Sequence, residues 1–594
     1  MKTDITYLGL VINVDSSSIE IEVSDDIPSS APIINGRLYR IGQIGTLIKI
    51  PVGNINLFGI VASVSNLPNK LVDSNNDLLP SRGSRYLQVQ LVGEQIGNMK
   101  FERGLGTFPT INDEAHIVTE EDLREIYGNK THGLIEVGKH SSSENLSVYL
   151  DLPNLVLRHC AVLGSTGSGK SNTIAHILNE ILSSYTGSRM VLIDIHGEYS
   201  TAFKGKCKTF KINDKDNPLF VPYWTLNFDE LSFFLAGRPN GQERPEDKRL
   251  REEILKYKII SANKLKAGNV QESFITADSP IPFDIKLMWH TLNREVHGTF
   301  SKAGIQEQNR DNEEIEDEGE YKNLIPAKFK PYSLGSSAPF KSKNEMMYAY
   351  EQKIYSRLKD SRYNFMFNPA EYCDTNSSND LDELIRSWVE HDERLTILDL
   401  SEVPFELIDI TVGIVTRLIY DSMYWGKNEV YTGRNRPLLM IYEEAHSYLP
   451  RNEGTHIYGY ARKAVEKIFK EGRKFGLGAM VVTQRPSEIS ETILAQVGTF
   501  IALRLTNSSD KNTVKSAAPN NMTSLIDLLS SLRKGEAIVV GEAIEIPSRV
   551  RIKEYVPRPN SNDPDLTQKW NQDFECNAEN YKKVITAMRE QKHI

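Results

Sequence analysis

The chain has 594 residues, 25% of them charged, and a net charge of −9. At roughly 100–200 residues per domain it is too long for one hydrophobic core and predicts about three or four structural units. The acidic balance excludes a protein coated over its whole surface by nucleic acid, though not one with a basic inner channel. No run of about 18 apolar residues marks a membrane span. The start, Met1-Lys2-Thr3-Asp4, lacks a signal-peptide core, so a cytoplasmic protein is expected. Cys160, Cys207, Cys373 and Cys576 are scattered, without a CxxC pair or histidines at zinc spacing, and read as free thiols. The abundance of Asn and Ser points to a mesophilic, bacterial source, because hyperthermophile proteins avoid thermolabile side chains.

Residues 1–110 predict an all-β unit. Ile19-Glu20-Ile21-Glu22-Val23 and Leu87-Gln88-Val89-Gln90-Leu91 alternate with period two. Asn35-Gly36 is a hairpin dipeptide, and Gly42, Gly45, Pro51 and Gly53 punctuate further turns. Short, closely spaced strands suggest a small barrel, with a sandwich as the alternative. Residues 111–150 read as a connector. From 151 to 224 the pattern becomes α/β. Cys160-Ala161-Val162-Leu163 is a buried strand, Ile174, Ile177, Leu178, Ile181 and Leu182 share one helical face, and Met190-Val191-Leu192-Ile193 is a second buried strand. Residues 225–390 are polar and helix-prone and predict a helical insertion, with a mobile acidic loop near 305–325 around Glu313-Glu314-Ile315-Glu316-Asp317-Glu318. An acidic arm contacting a partner is the other reading of that run. Between 391 and 555 four more apolar runs, at 395–399, 438–442, 479–482 and 500–503, bring the predicted parallel sheet to at least six strands. Residues 556–594 read as a polar C-terminal arm.

The chemistry-bearing motifs fall at strand ends. Gly164-Ser165-Thr166-Gly167-Ser168-Gly169-Lys170-Ser171 matches G-x-x-x-x-G-K-[ST] between a predicted strand and a predicted helix. Glycines let backbone N–H groups curl around phosphates, the helix start adds its positive end, Lys170 reaches the β- and γ-phosphates and Ser171 holds Mg²⁺. A glycine-rich turn without nucleotide is the bland alternative, and the strand–loop–helix context speaks against it. The strand at 438–442 ends in Glu443-Glu444-Ala445-His446. Glu443 would face Mg²⁺, and Glu444 would polarise the attacking water. Asp is the usual first residue, and the longer Glu443 leaves its metal role open. After the strand at 479–482, Gln484 is placed to sense the γ-phosphate. Asp194-Ile195-His196-Gly197-Glu198-Tyr199 follows the second strand, so Asp194 or Glu198 would support Mg²⁺ or water, while His196 reads as a local hydrogen-bonding residue.

Taken jointly these segments resemble the HerA branch of the HerA/FtsK superfamily. The resemblance rests on Arg158 through Asn172, the Asp194–Tyr199 element, the Glu-Glu-Ala-His form at 443–446, Glu471-Gly472-Arg473-Lys474-Phe475-Gly476, Thr483-Gln484-Arg485-Pro486-Ser487, Gly535-Glu536-Ala537 and Pro547 through Arg551. It covers about residues 1–200 and 395–555. It implies a RecA-like P-loop core with an N-terminal HAS-like β-barrel, with Gly164 through Asn172 binding ATP. It also implies a homohexamer with double-stranded DNA in a central pore and ATP between protomers, with an arginine supplied in trans. Arg473, Arg158 and Arg451 are candidates for that role, and each reads equally as a surface salt-bridge residue. Lys204 and Lys206 are possible pore residues. Proteins of this type pair with a NurA-like nuclease or a sirtuin-like NAD-consuming effector, which would dock on the barrel. With the mesophilic composition, the resemblance implies an ATP-dependent DNA translocase or helicase in antiphage defence. An ATP-gated scaffold that activates an effector with little DNA movement stays open. A conjugative coupling or secretion ATPase is disfavoured by the missing membrane anchor.

Overall fold

The structure is a computed structural model. It describes residues 4–590 apart from 17, 25–32, 35–36, 39–41, 66–84, 98, 128–131, 142, 237–243, 265–269, 374–379, 453–458, 519–522, 561–565 and 573–577. The Asn35-Gly36 turn and Cys576 lie outside the described residues.

Alternating apolar residues build the first unit. Strands β1 (Tyr7–Val14), β2 (Ser18–Val23), β3 (Leu47–Val52), β4 (Ile55–Ser65), β5 (Arg85–Ile96) and β6 (Glu114–Ile117) pair in the order β2-β1-β6-β3-β4-β5, and β2 pairs back onto β5. Six strands therefore close into a barrel, not a sandwich, and no edge stays open. Ile19, Ile21, Leu87, Val89, Ile48 and Ile50 point inward and fill it.

The reading of 111–150 as a connector is corrected here. Its first part contributes β6, which closes the barrel beyond residue 110. Its last part supplies β7 (Leu134–His140) and β8 (Ser143–Asp151), two strands of the large sheet. These strands are polar on one face and short of a continuous apolar run, which hid them in the sequence.

The large sheet continues with β9 (Cys160–Leu163), β10 (Met190–Asp194), β11 (Lys208–Lys211), β12 (Leu395–Asp399), β13 (Leu438–Tyr442), β14 (Leu477–Thr483), β15 (Thr499–Leu503), β16 (Glu536–Gly541) and β17 (Ser548–Ile552). Its order is β8-β7-β17-β16-β15-β9-β14-β13-β10-β12-β11. From β15 to β11 all pairings are parallel, while β16, β17, β7 and β8 form an antiparallel wing. The parallel strands β9, β10, β12, β13, β14 and β15 are buried along their whole length, as strands covered by helices on both faces must be. Helix α1 (Lys170–Ser184) follows β9 and buries Ile174, Ile177, Leu178 and Ile181 against the sheet.

Between β11 and β12 the chain makes α2 (Phe228–Ala236), α3 (Pro245–Ala262), α4 (Ile285–His297), α5 (Tyr348–Lys359) and α6 (Leu381–Val389). The acidic run is not a free loop. Ile315–Asp317 pairs with Lys328–Phe329, Arg294 bridges Glu313 and Glu318, and Lys330 Nζ lies 2.8 Å from Glu314. The neutralising cations sit on either side of the run in sequence, so a charge count over the run alone missed them. After β12 come α7 (Phe405–Trp425) and α8 (Tyr460–Glu471), packed on each other, and near the end α9 (Ala578–Glu590). No helix among the described residues is long and apolar enough to cross a membrane.

Candidate active site

In a parallel α/β sheet the loops at the carboxyl ends of the strands gather on one edge. Here that edge brings together the loop after β9, the Asp194–Tyr199 turn after β10, the acidic pair after β13 and Gln484 after β14. They surround a cavity of about 790 Å³ lined by Thr166, Lys170, Ser171, Glu198, Glu444 and Gln484, among others.

The loop 164–169 is shaped by its glycines. Gly169 has φ +112°, and a Cβ on Gly164 would stand 2.5 Å from Ser168 Oγ. Both positions exclude a side chain. Ser165 N–H donates to Arg504 O at 2.9 Å and Gly535 N–H to Ser168 O at 2.9 Å, which props the loop from behind. Lys170 is buried, with Nζ 4.0 Å from Glu444 Oε1.

The two acids differ sharply. Glu443 is 3% exposed and its Oε2 has no hydrogen-bond partner. Burial first, then Glu444, Asp194 and Glu198, push its carboxyl well above the usual range. Glu444 lines the cavity and takes φ +45°, a left-handed conformation that costs a non-glycine residue roughly 1 kcal/mol or more. Burial would raise its carboxyl too, but His446, with Nδ1 at 3.2 Å, and Lys170 hold it below the usual range. One acid is thus buried with a raised carboxyl, and the other lines the cavity with a lowered one.

Asp194 needs correction as a metal ligand. It is fully buried, and its oxygens accept the N–H groups of His196 (3.2 Å), Gly197 (2.9 Å) and Tyr199 (3.0 Å). Burial raises its carboxyl to about 6 although the Tyr199 N–H opposes this. Asp194 holds the turn, and the turn presents Glu198, whose Oε2 accepts from Ser171 Oγ at 3.3 Å. Gln484 Oε1 accepts from Thr166 Oγ1 at 2.5 Å and so sits over the phosphate loop. Asn172 shows a different role from direct nucleotide contact: both ends of its amide bind the backbone near residue 554.

The three arginines lie on different edges. Arg158 and Arg473 precede β9 and β14, at the amino ends of the strands. Arg158 pairs with Glu542 at 3.3 Å, whereas Arg473 is exposed with no carboxylate partner among the described residues. The seven residues of β14 separate Arg473 from its own phosphate edge by about 20 Å. Arg451 follows β13 on the nucleotide edge and is paired with Glu491. Lys206 is engaged with Asn179 at 2.9 Å, while Lys204 is exposed.

Sequence reasoning missed one wall of the cavity. Glu136 and Lys139 on β7, Lys534, and the segment carrying Arg551, Lys553 and Arg558 face the phosphate loop. Asn172 and Lys553 are 381 positions apart, and no spacing rule links them.

A phosphate loop at the edge of a parallel sheet, a buried lysine and a carboxylate held over it define a P-loop ATPase with a RecA-like core. Comparison with known proteins sharpens this. The model described as "Helicase HerA, central domain" matches residues 135–419, and "Helicase HerA-like C-terminal" matches 429–583. This chain belongs to the HerA family of helicase-type ATPases. The DNA double-strand break repair helicase HerA of Saccharolobus solfataricus is 26% identical over 89% of this chain and 91% of its own length. That of Sulfurisphaera tokodaii is 28% identical over 78% of this chain and 77% of its own length. Among solved structures, VirB4 of Thermoanaerobacter pseudethanolicus aligns over 72% of this chain and 98% of its own, at TM-score 0.44 and 14% identity.

Proposed function

We propose that this chain is an ATP-driven double-stranded DNA translocase or helicase that works as a homohexameric ring with a separate effector, in bacterial antiphage defence. The observation that carries this reading is the sidedness of the core: a complete phosphate edge, and on the opposite edge an exposed arginine that cannot reach its own nucleotide. In a ring, Arg473 of one protomer would face the ATP of the next and offset charge on the γ-phosphate. Lys170 takes the β- and γ-phosphates, Glu444 receives the proton of the attacking water, and Gln484 orients that water. Ser171 and Glu198 fit a Mg²⁺ ion, with the unpartnered Glu443 oxygen behind them. The ion would supply charge neutralisation at the phosphates.

The effector, a nuclease or a sirtuin-like NAD-consuming enzyme, would dock on the barrel. Met99, Phe108 and Ile111, between β5 and β6, are exposed apolar groups that a docked partner would cover. The mesophilic composition favours the defence role.

The test is ATP hydrolysis by the purified chain with and without linear double-stranded DNA, with Lys170→Ala as control. Strong stimulation by DNA and turnover reduced to background in the variant are expected. Turnover indifferent to DNA would replace the translocase with an ATP-gated scaffold.

A further inference from the structure

The cavity has a direction. Glu444, Gln484 and Thr166 mark its γ-phosphate end, because the attacking water must lie there. The start of α1 cradles the phosphates nearer the nucleoside. From Asn172 the lining continues with Lys553, Glu554, Arg558 and Pro559, and Glu136 and Lys139 belong to the same cavity. The segment 551–560 and the start of α1 therefore line one cavity, which the nucleoside joined to the phosphates would share.

That segment is fastened at several points. Asn172 Nδ2 donates to Lys553 O at 3.1 Å, and its Oδ1 accepts from Tyr555 N–H at 2.8 Å. The Tyr555 hydroxyl donates to Ala202 O at 3.1 Å, and its ring stacks on Phe203 at 5.5 Å. Asn560 N–H donates to Glu198 O at 2.8 Å. The strap is thus tied to the phosphate loop's helix and to the turn that presents Glu198. Arg558 pairs with Glu554, while Arg551 and Lys553 have no carboxylate partner among the described residues.

We infer that the segment 551–560 is the nucleoside-side wall of the ATP site, that Arg551 and Lys553 meet the ribose beyond the α-phosphate, and that Asn172 is a positioning residue that fixes this wall. The inference rests on ATP as the occupant of the cavity. Inorganic tripolyphosphate carries the phosphates without the nucleoside and separates the two ends of the site.

The experiment measures binding of ADP and of tripolyphosphate to the full chain by calorimetry, beside steady-state ATP hydrolysis. Asn172→Ala and Lys553→Ala are each expected to weaken ADP and raise the KM for ATP about tenfold, with kcat within about twofold and tripolyphosphate binding unchanged. Lys170→Ala should weaken both ligands. Parallel loss of ADP and tripolyphosphate in the strap variants, or unchanged ADP binding, overturns the inference. If tripolyphosphate binds the wild type and Lys170→Ala alike, the phosphate site itself is misplaced, a separate failure. Lys553 is exposed, so its variant keeps the test decisive should Asn172→Ala fold poorly.

Discussion

The two edges of the parallel sheet are made from the same strands and differ in what they open onto. At the carboxyl edge polar groups are left strained or unmatched: Glu444 at φ +45°, Glu443 Oε2 and Ser168 Oγ without partners. At the amino edge His159 and Arg394 also take positive φ, and Ser188 Oγ and Arg189 Nε also lack partners, but none of these residues lines the cavity. His159 Nδ1 accepts the buried Ala479 N–H at 3.1 Å, and its ring lies 4.7 Å from Phe469. The first edge opens on the cavity, whereas the second carries the exposed Arg473.

The sharpest way to break this contrast is Arg473→Ala. Turnover should fall about 10³-fold with ADP affinity retained, and mixed rings containing a Glu444→Gln partner should recover part of it. A variant that loses ADP binding would place Arg473 in its own site. Next, Glu444→Gln should cut hydrolysis about 10²-fold or more while nucleotide still binds, read by single-turnover kinetics. If binding is lost instead, the left-handed backbone at 444 serves structure and not chemistry.

The amino edge predicts a stability effect without a binding effect. His159→Leu leaves the Ala479 N–H unmatched and should cost about 2 kcal/mol in urea unfolding, with ADP binding unchanged. Burial lowers the His159 imidazole from 6.5 to about 4. The unfolded chain therefore takes up the proton first as pH falls. The contribution is complete above pH 6.5 and shrinks as pH falls toward 4, and the variant should lose this slope. The smallest effect is at Glu443. Its raised carboxyl means that the unfolded chain ionises first as pH rises above 4.5, so the metal-free fold loses stability toward alkaline pH. Glu443→Gln should raise the Tm by about 1–2 °C at pH 8, the gain narrowing toward pH 5. A gain that persists with Mg²⁺-ATP would argue against Glu443 facing the ion.

Much of the carboxyl edge was legible because each part of it is local. The phosphate loop, the acidic pair and Gln484 each sit within a few residues of an apolar strand, and strand ends announce themselves. Glu198 against Asp194 was not legible, because which of the two lines the cavity depends on how the turn spends the N–H groups of His196, Gly197 and Tyr199. The strap was hidden for a different reason: Asn172 and Lys553 meet only after the whole sheet has been assembled between them. The barrel was visible in its alternation, but its closing strand, Glu114–Ile117, has four residues and no strong pattern.

The antiparallel pairing of β7 with β17 has a mechanical meaning. Gly138, Lys139 and His140 lie opposite Ile552, Arg551 and Val550. β7 is the first strand of the sheet after the barrel, and β17 runs directly into the strap. Barrel, β7, β17 and strap are therefore linked in series, and the backbone hydrogen bonds of one short ladder carry whatever load passes along them. A pull or twist applied to the barrel reaches residue 551 by way of two adjoining strands, without crossing the parallel strands. Whatever grips the barrel is one ladder away from the segment that lines the cavity.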